Sequence, residues 1–284
     1  MSPIAFITGA NSGFGLACTK ALAEKGYRVY ATYRNLRKAG SLWAIARNFP
    51  VFPLLMDVNR TTSVDRAVRH ILKREGRIDI LLNNAGFVMA GFWEDLSDKD
   101  VKDQFETNVF GLLRVTRAVL PIMRKRGSGK ILNIGSVAGF AVVPCLGAYS
   151  ATKFAVNSLT EALRMETREW GIQVTEINPG EVQTSIVQNS RIGEKSLSAK
   201  SPYTPFTKSF EQFSKKRVAG AAPVEKLVST VLKALGDSSM KRRYLVKPDD
   251  VILYLLRWFL PDSIWEWGLG MMFPWSRFPR KKSS

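Results

Sequence analysis

Short apolar runs alternate with amphipathic stretches of three-four spacing along most of this chain. A chain so patterned folds as a parallel sheet with crossover helices, because each run is buried on both faces and each stretch covers one. The pattern predicts strands over residues 4–8, 28–33, 51–56, 78–82, 130–134, 173–177 and 243–246. It predicts helices over 16–25, 36–47, 149–170 and 224–235, and one long helix or two in succession over 101–126. Between the third and fourth strands Val64, Ala67, Val68, Ile71 and Leu72 form a buried helical stripe. The expected class is α/β, a single doubly wound parallel sheet of about seven strands with helices on both faces.

No repeat or linker divides the 284 residues, and 45% hydrophobic with 23% charged residues is ample for one core. We expect one catalytic-type domain over 1–248 and a distinct extension over 249–284. Residues 184–220 are polar and weakly periodic, and a loop that long inside a domain is usually a lid or binding loop. The extension is apolar and Trp-rich, but Arg257, Pro261, Asp262 and Glu266 interrupt it, so no run reaches the ~20 apolar residues of a spanning helix. Two readings stay open: a helix packed on the core, a partner or the cleft, or an interfacial anchor with Arg277, Arg280, Lys281 and Lys282 facing anionic lipid.

The net charge of +18 comes with no nucleic-acid motif, which favours an anionic cofactor and a membrane surface over nucleic acid. His70 is the only histidine, so His-based metal sites and triads are excluded; it reads as a helix-surface residue. Cys18 and Cys145 make no disulfide framework, and the chain opens directly into a strand. The expectation is a reducing, cytoplasmic setting, with membrane association left open.

Residues 8–15 read TGANSGFG, directly after a strand and opening a helix. Gly9, Gly13 and Gly15 permit a tight turn, and the helix N-terminus offers free N–H groups to a pyrophosphate. The spacing is G-x-x-x-G-x-G rather than G-x-G-x-x-G, so context carries the dinucleotide reading against that of a structural turn. The second strand ends Ala31-Thr32-Tyr33-Arg34 without an acid to hold ribose hydroxyls. Arg34 suits a 2′-phosphate, which favours NADP(H) over NAD(H). Asp57 comes later and suits an adenine contact.

A second cluster lies at Ser136, Tyr149 and Lys153. On a helix Tyr149 and Lys153 share a face. A free phenol near pKa ~10 is a poor acid or base at neutral pH, and a fixed ammonium beside it is expected to lower that value. Ser136 adds a hydrogen bond to the same reacting oxygen. Tyr-x-x-x-Lys alone is a weak signal.

Together with Asp57-Val58, NNAG at 83–86, Asn108, YSATK at 149–153 and Asn178-Pro179-Gly180 with Thr184, the sequence strongly resembles the short-chain dehydrogenase/reductase family, a Rossmann-like fold, from residue 3 to about 185. The resemblance implies a tetrad of Asn108, Ser136, Tyr149 and Lys153, with Asn108 holding a water that relays protons to Lys153. It implies that Gly9, Ser12, Gly13, Phe14 and Gly15 hold the pyrophosphate and adenosine ribose, and Asp57 and Val58 the adenine. Asn84, Ala85 and Gly86 would line the cleft, with Pro179, Gly180, Val182 and Thr184 at the nicotinamide and Lys153 on its ribose. The implied reaction interconverts a carbonyl and a secondary alcohol with NADP(H); the competing reading is a catalytically silent dinucleotide-binding scaffold. Phe87, Val88, Phe92, Trp93, Phe140, Val142, Val143, Cys145 and Leu146 suggest an apolar wall, resembling members that act on steroid-, retinoid- or acyl-like molecules. The resemblance implies a homo-oligomer, dimer or tetramer; the extension puts the tetrameric arrangement in doubt and leaves dimer and monomer open.

Overall fold

β1 (Ile4–Ile7) is buried at every position, as a strand covered on both faces must be. The computed structural model describes residues 2–182, 190–219 and 221–272. From β1 the chain runs through α1 (Gly13–Glu24), β2 (Arg28–Tyr33), α2 (Gly40–Ala46), β3 (Val51–Leu55), α3 (Thr61–Glu75) and β4 (Ile80–Asn83). It continues with β5 (Met89–Ala90), α4 (Asp98–Phe105), α5 (Leu112–Arg126), β6 (Gly129–Ile134), α6 (Gly147–Thr167) and β7 (Ile172–Asn178). The last elements are β8 (Arg191–Ile192), α7 (Thr204–Ala219), α8 (Val224–Gly236), β9 (Arg243–Leu245), α9 (Pro248–Phe259) and α10 (Asp262–Met272).

Seven strands form one sheet in the order β3-β2-β1-β4-β6-β7-β9, every pair parallel. The order reverses between β1 and β4, which opens a crevice beyond their C-terminal ends. One face buries Ile7, Leu82 and Leu132 against Leu22, Leu42 and Leu235 of α1, α2 and α8. The other buries Phe6, Tyr30 and Ile131 with Ile71 of α3 and Val119 of α5. Each such side chain contributes roughly 1.5–3 kcal/mol by leaving water. The α3 stripe is buried at Val64, Ala67, Val68 and Ile71, while Leu72 is only partly so.

Strand and helix ends differ from the sequence expectation by up to three residues, and three larger differences have physical causes. The helix expected over 36–47 is a 3₁₀ turn (Leu36–Lys38), capped by the Asn35 side chain accepting from the Arg37 N–H at 2.9 Å, followed by α2; the break falls at Ala39, directly before Gly40, a residue that disfavours a helix interior. The stretch over 101–126 resolves into α4, a π-helical segment (Glu106–Gly111) and α5, and α4 starts earlier behind a Ser97–Asp100 capping box. The segment read as a structureless loop carries β8, which pairs with β5, a 3₁₀ turn (Glu194–Leu197) and α7. Pro205 directly after Thr204 is a helix-start signal that the polar composition masked.

The extension starts with Pro248 at the first helical position and Asp250 closing a cap on Lys247. Pro261 separates α9 from α10. No helix among the described residues is long and apolar enough to cross a membrane. The basic residues Arg277, Arg280, Lys281 and Lys282 lie outside the described residues.

Candidate active site

The turn after β1 is held by its own hydrogen bonds. Gly9 has φ +63° and Gly13 φ +52°, where residues with a Cβ are strained. A Cβ on Gly9 would come 2.9 Å from Ala85 Cα, and one on Gly15 would run into the Asn84 amide and the Gly9 carbonyl. The Thr8 hydroxyl accepts from the N–H groups of Asn84 and Ala85, both at 2.9 Å. The Asn84 amide in return donates to the Thr8 and Gly9 carbonyls, also at 2.9 Å. Asn84 thus serves the turn's shape, and Ala85 presents backbone to the cleft. Thr8 was not among the expected site residues; its place before the first glycine was the available signal.

Ser12 caps α1 with no side-chain capping bond, so its hydroxyl is free, and no acid occupies the first helical turn. Phe14 turns its ring into the core and offers only its backbone. Arg34, Arg37 and Lys38 stand exposed at the end of β2 with no acid paired to them among the described residues. Asn11 ties the turn to this basic loop through the Lys38 carbonyl at 3.4 Å. Asp57 caps the following turn by accepting from the Asn59 N–H at 3.0 Å. Val58 is buried and packs where a Gly111 Cβ would sit. A glycine cradle, a free hydroxyl and unpaired cations are the donor set a phosphorylated dinucleotide requires.

Across the crevice, the Pro179 carbonyl accepts from the Val137 N–H at 3.0 Å and the Gly180 N–H donates to Asp250 at 3.3 Å. Val182 is buried and bridges to Ala222. Thr184 lies outside the described residues.

The polar cluster forms where β6 ends and α6 begins. Ser136 accepts from the Ala138 N–H at 3.1 Å, and its side chain favours the Tyr149 phenolate. The Lys153 ammonium lies 5.6 Å from the centre of the Tyr149 ring and donates to the Ile134 carbonyl at 2.7 Å. Asn108 rides on the π-helical segment, where a widened turn re-aims side chains. It accepts from the Phe87 N–H at 3.0 Å and donates to the Phe87 carbonyl at 3.0 Å and the Thr152 hydroxyl at 3.1 Å. Both amide donors of Asn108 are therefore spent inside the protein. A Cβ on Gly86 would press on Asn108 Oδ1 at 3.1 Å.

One electrostatic expectation needs correction. In the chain by itself Tyr149 is not lowered: burial pushes it up to about 12, opposed by the Ser136 side chain. Burial likewise brings Lys153 down to about 8, opposed by the charge of Glu176. Desolvation is the largest influence on each of the two groups. The phenol is accordingly held protonated, the form that can donate a proton.

Aromatic rings gather between the segment after β5 and α7. Phe92 stacks on Tyr203 with ring centres 4.6 Å apart and tilts against Phe206 at 6.0 Å. Phe140 and Cys145 are buried, while Trp93 and Val142 are exposed. Cys145 has φ +69°, unusual for a residue with a Cβ, and its carbonyl accepts from the Gly91 N–H at 2.8 Å. The sequence also gave no weight to Asp250 and Glu176, although Glu176 is the one acid in the strand IQVTEIN.

A family model described as short chain dehydrogenase matches residues 3–195. The 3-ketodihydrosphingosine reductase of Bacteroides thetaiotaomicron is 34% identical over 95% of this chain and 97% of its own length. A short-chain dehydrogenase from Streptomyces avermitilis has a similar structure, with a TM-score of 0.81, 30% identity and 98% of both chains covered. A Burkholderia phymatum protein solved in complex with NAD gives a TM-score of 0.81 at 26% identity, covering 100% of this chain and 98% of its own.

Proposed function

The chain belongs to the short-chain dehydrogenase/reductase family of oxidoreductases, and from that premise we propose that it reduces the carbonyl of a lipophilic substrate with NADPH, or runs the reverse oxidation. The observation that carries the reading is the Lys153 ammonium 5.6 Å from the centre of the Tyr149 ring, with Ser136 as the group that favours its phenolate, at the crevice that the glycine turn borders. The nicotinamide, when bound, supplies or accepts the hydride. Tyr149 gives its phenolic proton to the substrate oxygen, and Ser136 holds that oxygen by a second hydrogen bond. Lys153, as an ammonium, favours the phenolate left behind and holds the cofactor ribose. Asn108 keeps the Phe87 backbone and Thr152 in place beside them.

The cofactor preference rests on Arg34, unpaired and without a neighbouring acid, as the residue for a 2′-phosphate. Gly9, Ser12, Gly13 and Gly15 hold the pyrophosphate, Asp57 and Val58 the adenine, and Pro179, Gly180 and Val182 the nicotinamide side. The lipophilic substrate is supported by the Phe92, Tyr203 and Phe206 aromatic cluster and by likeness to a 3-ketodihydrosphingosine reductase. A screen of NADPH consumption over steroid, retinoid, fatty-acyl and small aromatic ketones tests the reading. Turnover of lipophilic ketones with NADPH is expected; tight NADPH binding without turnover of any ketone would leave a silent scaffold instead.

We further propose that the extension, residues 249–284, rests on an anionic membrane surface. Val251, Ile252, Leu255, Leu256, Trp258, Phe259, Ile264, Trp267 and Met271 all stand exposed on α9 and α10. The residues that follow in sequence, 273–284, hold four basic residues and no acid. That pairing of apolar surface and positive charge suits a lipid interface.

A further inference from the structure

One register row crosses four strands of the sheet. Asn83 on β4 is opposite Asn133 on β6, Asn133 opposite Glu176 on β7, and Glu176 opposite Arg243 on β9. All four side chains share the face covered by α5 and α6: Asn83 donates to Thr116 at 3.0 Å and to Asn133 at 2.9 Å, and Asn133 donates to Thr160 at 2.9 Å. Above the row, α6 sets Lys153, Asn157 and Glu161 at four-residue intervals, one stripe along the helix. Arg243 donates to Asn157 at 3.0 Å and to Glu161 at 2.9 Å, and its guanidinium lies over Tyr254 of α9 at 4.8 Å.

Glu176 sits in the middle of this layer, 1% exposed. Its carboxyl oxygen lies where a Gly135 Cβ would be, between Ile134, whose carbonyl holds Lys153, and Ser136. The Asn178 amide crowds the same position and donates to the Ser136 carbonyl at 3.3 Å. Glu176 Oε1 and two guanidinium nitrogens of Arg243 have no hydrogen-bond partner among the described residues. A carboxyl is costly at such a depth unless charges answer it. The groups that face it are Lys153 and Glu161 of α6 and Arg243 of β9; Tyr254 of α9 lies beyond the arginine.

We propose that Glu176 is a positioning residue for Lys153: its carboxylate holds the lysine as an ammonium on the Ile134 carbonyl, and Arg243 holds the carboxylate ionised. The role rests on the reading that Lys153 serves a nicotinamide dinucleotide. Burial pulls Lys153 down to about 8 even with the Glu176 charge opposing it, and pushes Glu176 up to about 7 against the pull of Asn178, Arg243 and Lys153. Without the carboxylate, Lys153 loses its proton at a lower pH. Arg243 is the second control, since removing it favours the neutral carboxylic acid, which no longer supports the ammonium. The row thus joins the chemistry at Lys153 to β9 and α9 at the edge of the sheet.

The test is the pH dependence of NADPH affinity, by nicotinamide fluorescence without substrate, alongside that of ketone reduction. In the unaltered protein both fall as Lys153 deprotonates. Glu176→Gln is expected to move that limb about one pH unit towards acid, roughly a tenfold loss of affinity just above it. Arg243→Met is expected to move it the same way, and Arg243→Lys to restore it. If Glu176→Gln does not fold, the Arg243 pair decides the matter alone. A limb that stays put while only the thermal midpoint changes would reduce Glu176 to a structural role and overturn the inference. A protein that binds no NADPH at any pH would overturn both this inference and the reading beneath it.

Discussion

Asp250, in the first turn of α9, accepts from the backbone N–H of Gly180 at 3.3 Å and caps its own helix by accepting from Lys247 N–H at 3.0 Å. One carboxylate thus fixes both the start of the C-terminal extension and the loop that follows β7. Its burial raises its pKa, so the neutral isostere should be tolerated. Asp250→Asn is expected to change stability little. Asp250→Ala should cost about 1–3 kcal/mol, by loss of a cap and exposure of unmet donors, and weaken NADPH binding. Thermal melts and cofactor titration of the two variants check this.

Tyr149→Phe removes the proton donor and leaves the ring. Ketone reduction should drop by about 10²–10⁴-fold while NADPH affinity holds. Full turnover by this variant would sink the proposed chemistry.

Arg34 marks the choice of cofactor. Arg34→Asp should shift preference from NADPH towards NADH, because a carboxylate repels a 2′-phosphate and accepts from ribose hydroxyls. Equal affinity of the unaltered protein for the two cofactors would refute the assignment.

Stability should carry the signature of Glu176. Its folded value of about 7 lies above the ordinary 4.5. A raised carboxyl binds its proton longer in the folded state, so stability is highest below the unfolded value and falls as pH rises through the folded one. Glu176→Gln removes that loss. Relative to the unaltered protein, it should therefore gain between pH 5 and pH 7.5, by at most about 3 kcal/mol. Denaturant titrations at the two pH values measure it.

The extension should bind vesicles containing anionic phospholipid at low salt. Trp258, Phe259 and Trp267, each at least 67% exposed, are the anchors to replace together with Ser. Flotation should be lost in the triple variant without loss of ketone turnover in detergent. Unaltered protein left in the supernatant, or a dimer that the substitutions split, would point to a second copy as the occupant.

Fold class was legible in the sequence because its signals are local and redundant. Buried strands such as RVYATY read as continuous apolar runs, and the α3 stripe repeats four buried positions. The glycine turn was legible for the same reason, since Gly9 answers to a single local conformation. Helix α7 was not, because its residues are polar and Phe206 gains its meaning only from Phe92, over a hundred positions earlier. The electrostatics around Tyr149 ran against expectation, since spacing on a helix gives proximity but says nothing of desolvation. Glu176 and Asp250 were overlooked for a related reason: register and packing, not neighbours in sequence, put them beside Lys153 and Gly180.

The Thr8 hydroxyl and the Asn84 amide join the turn after β1 to the loop after β4 through four hydrogen bonds. That side of the crevice is therefore an anvil rather than a jaw. Adjustment to cofactor and substrate falls to the opposite side, where Gly180 hangs on one carboxylate of α9. If the extension docks on a surface as proposed, that contact would act at the far end of the helix whose first turn holds Gly180, and would be felt in the crevice.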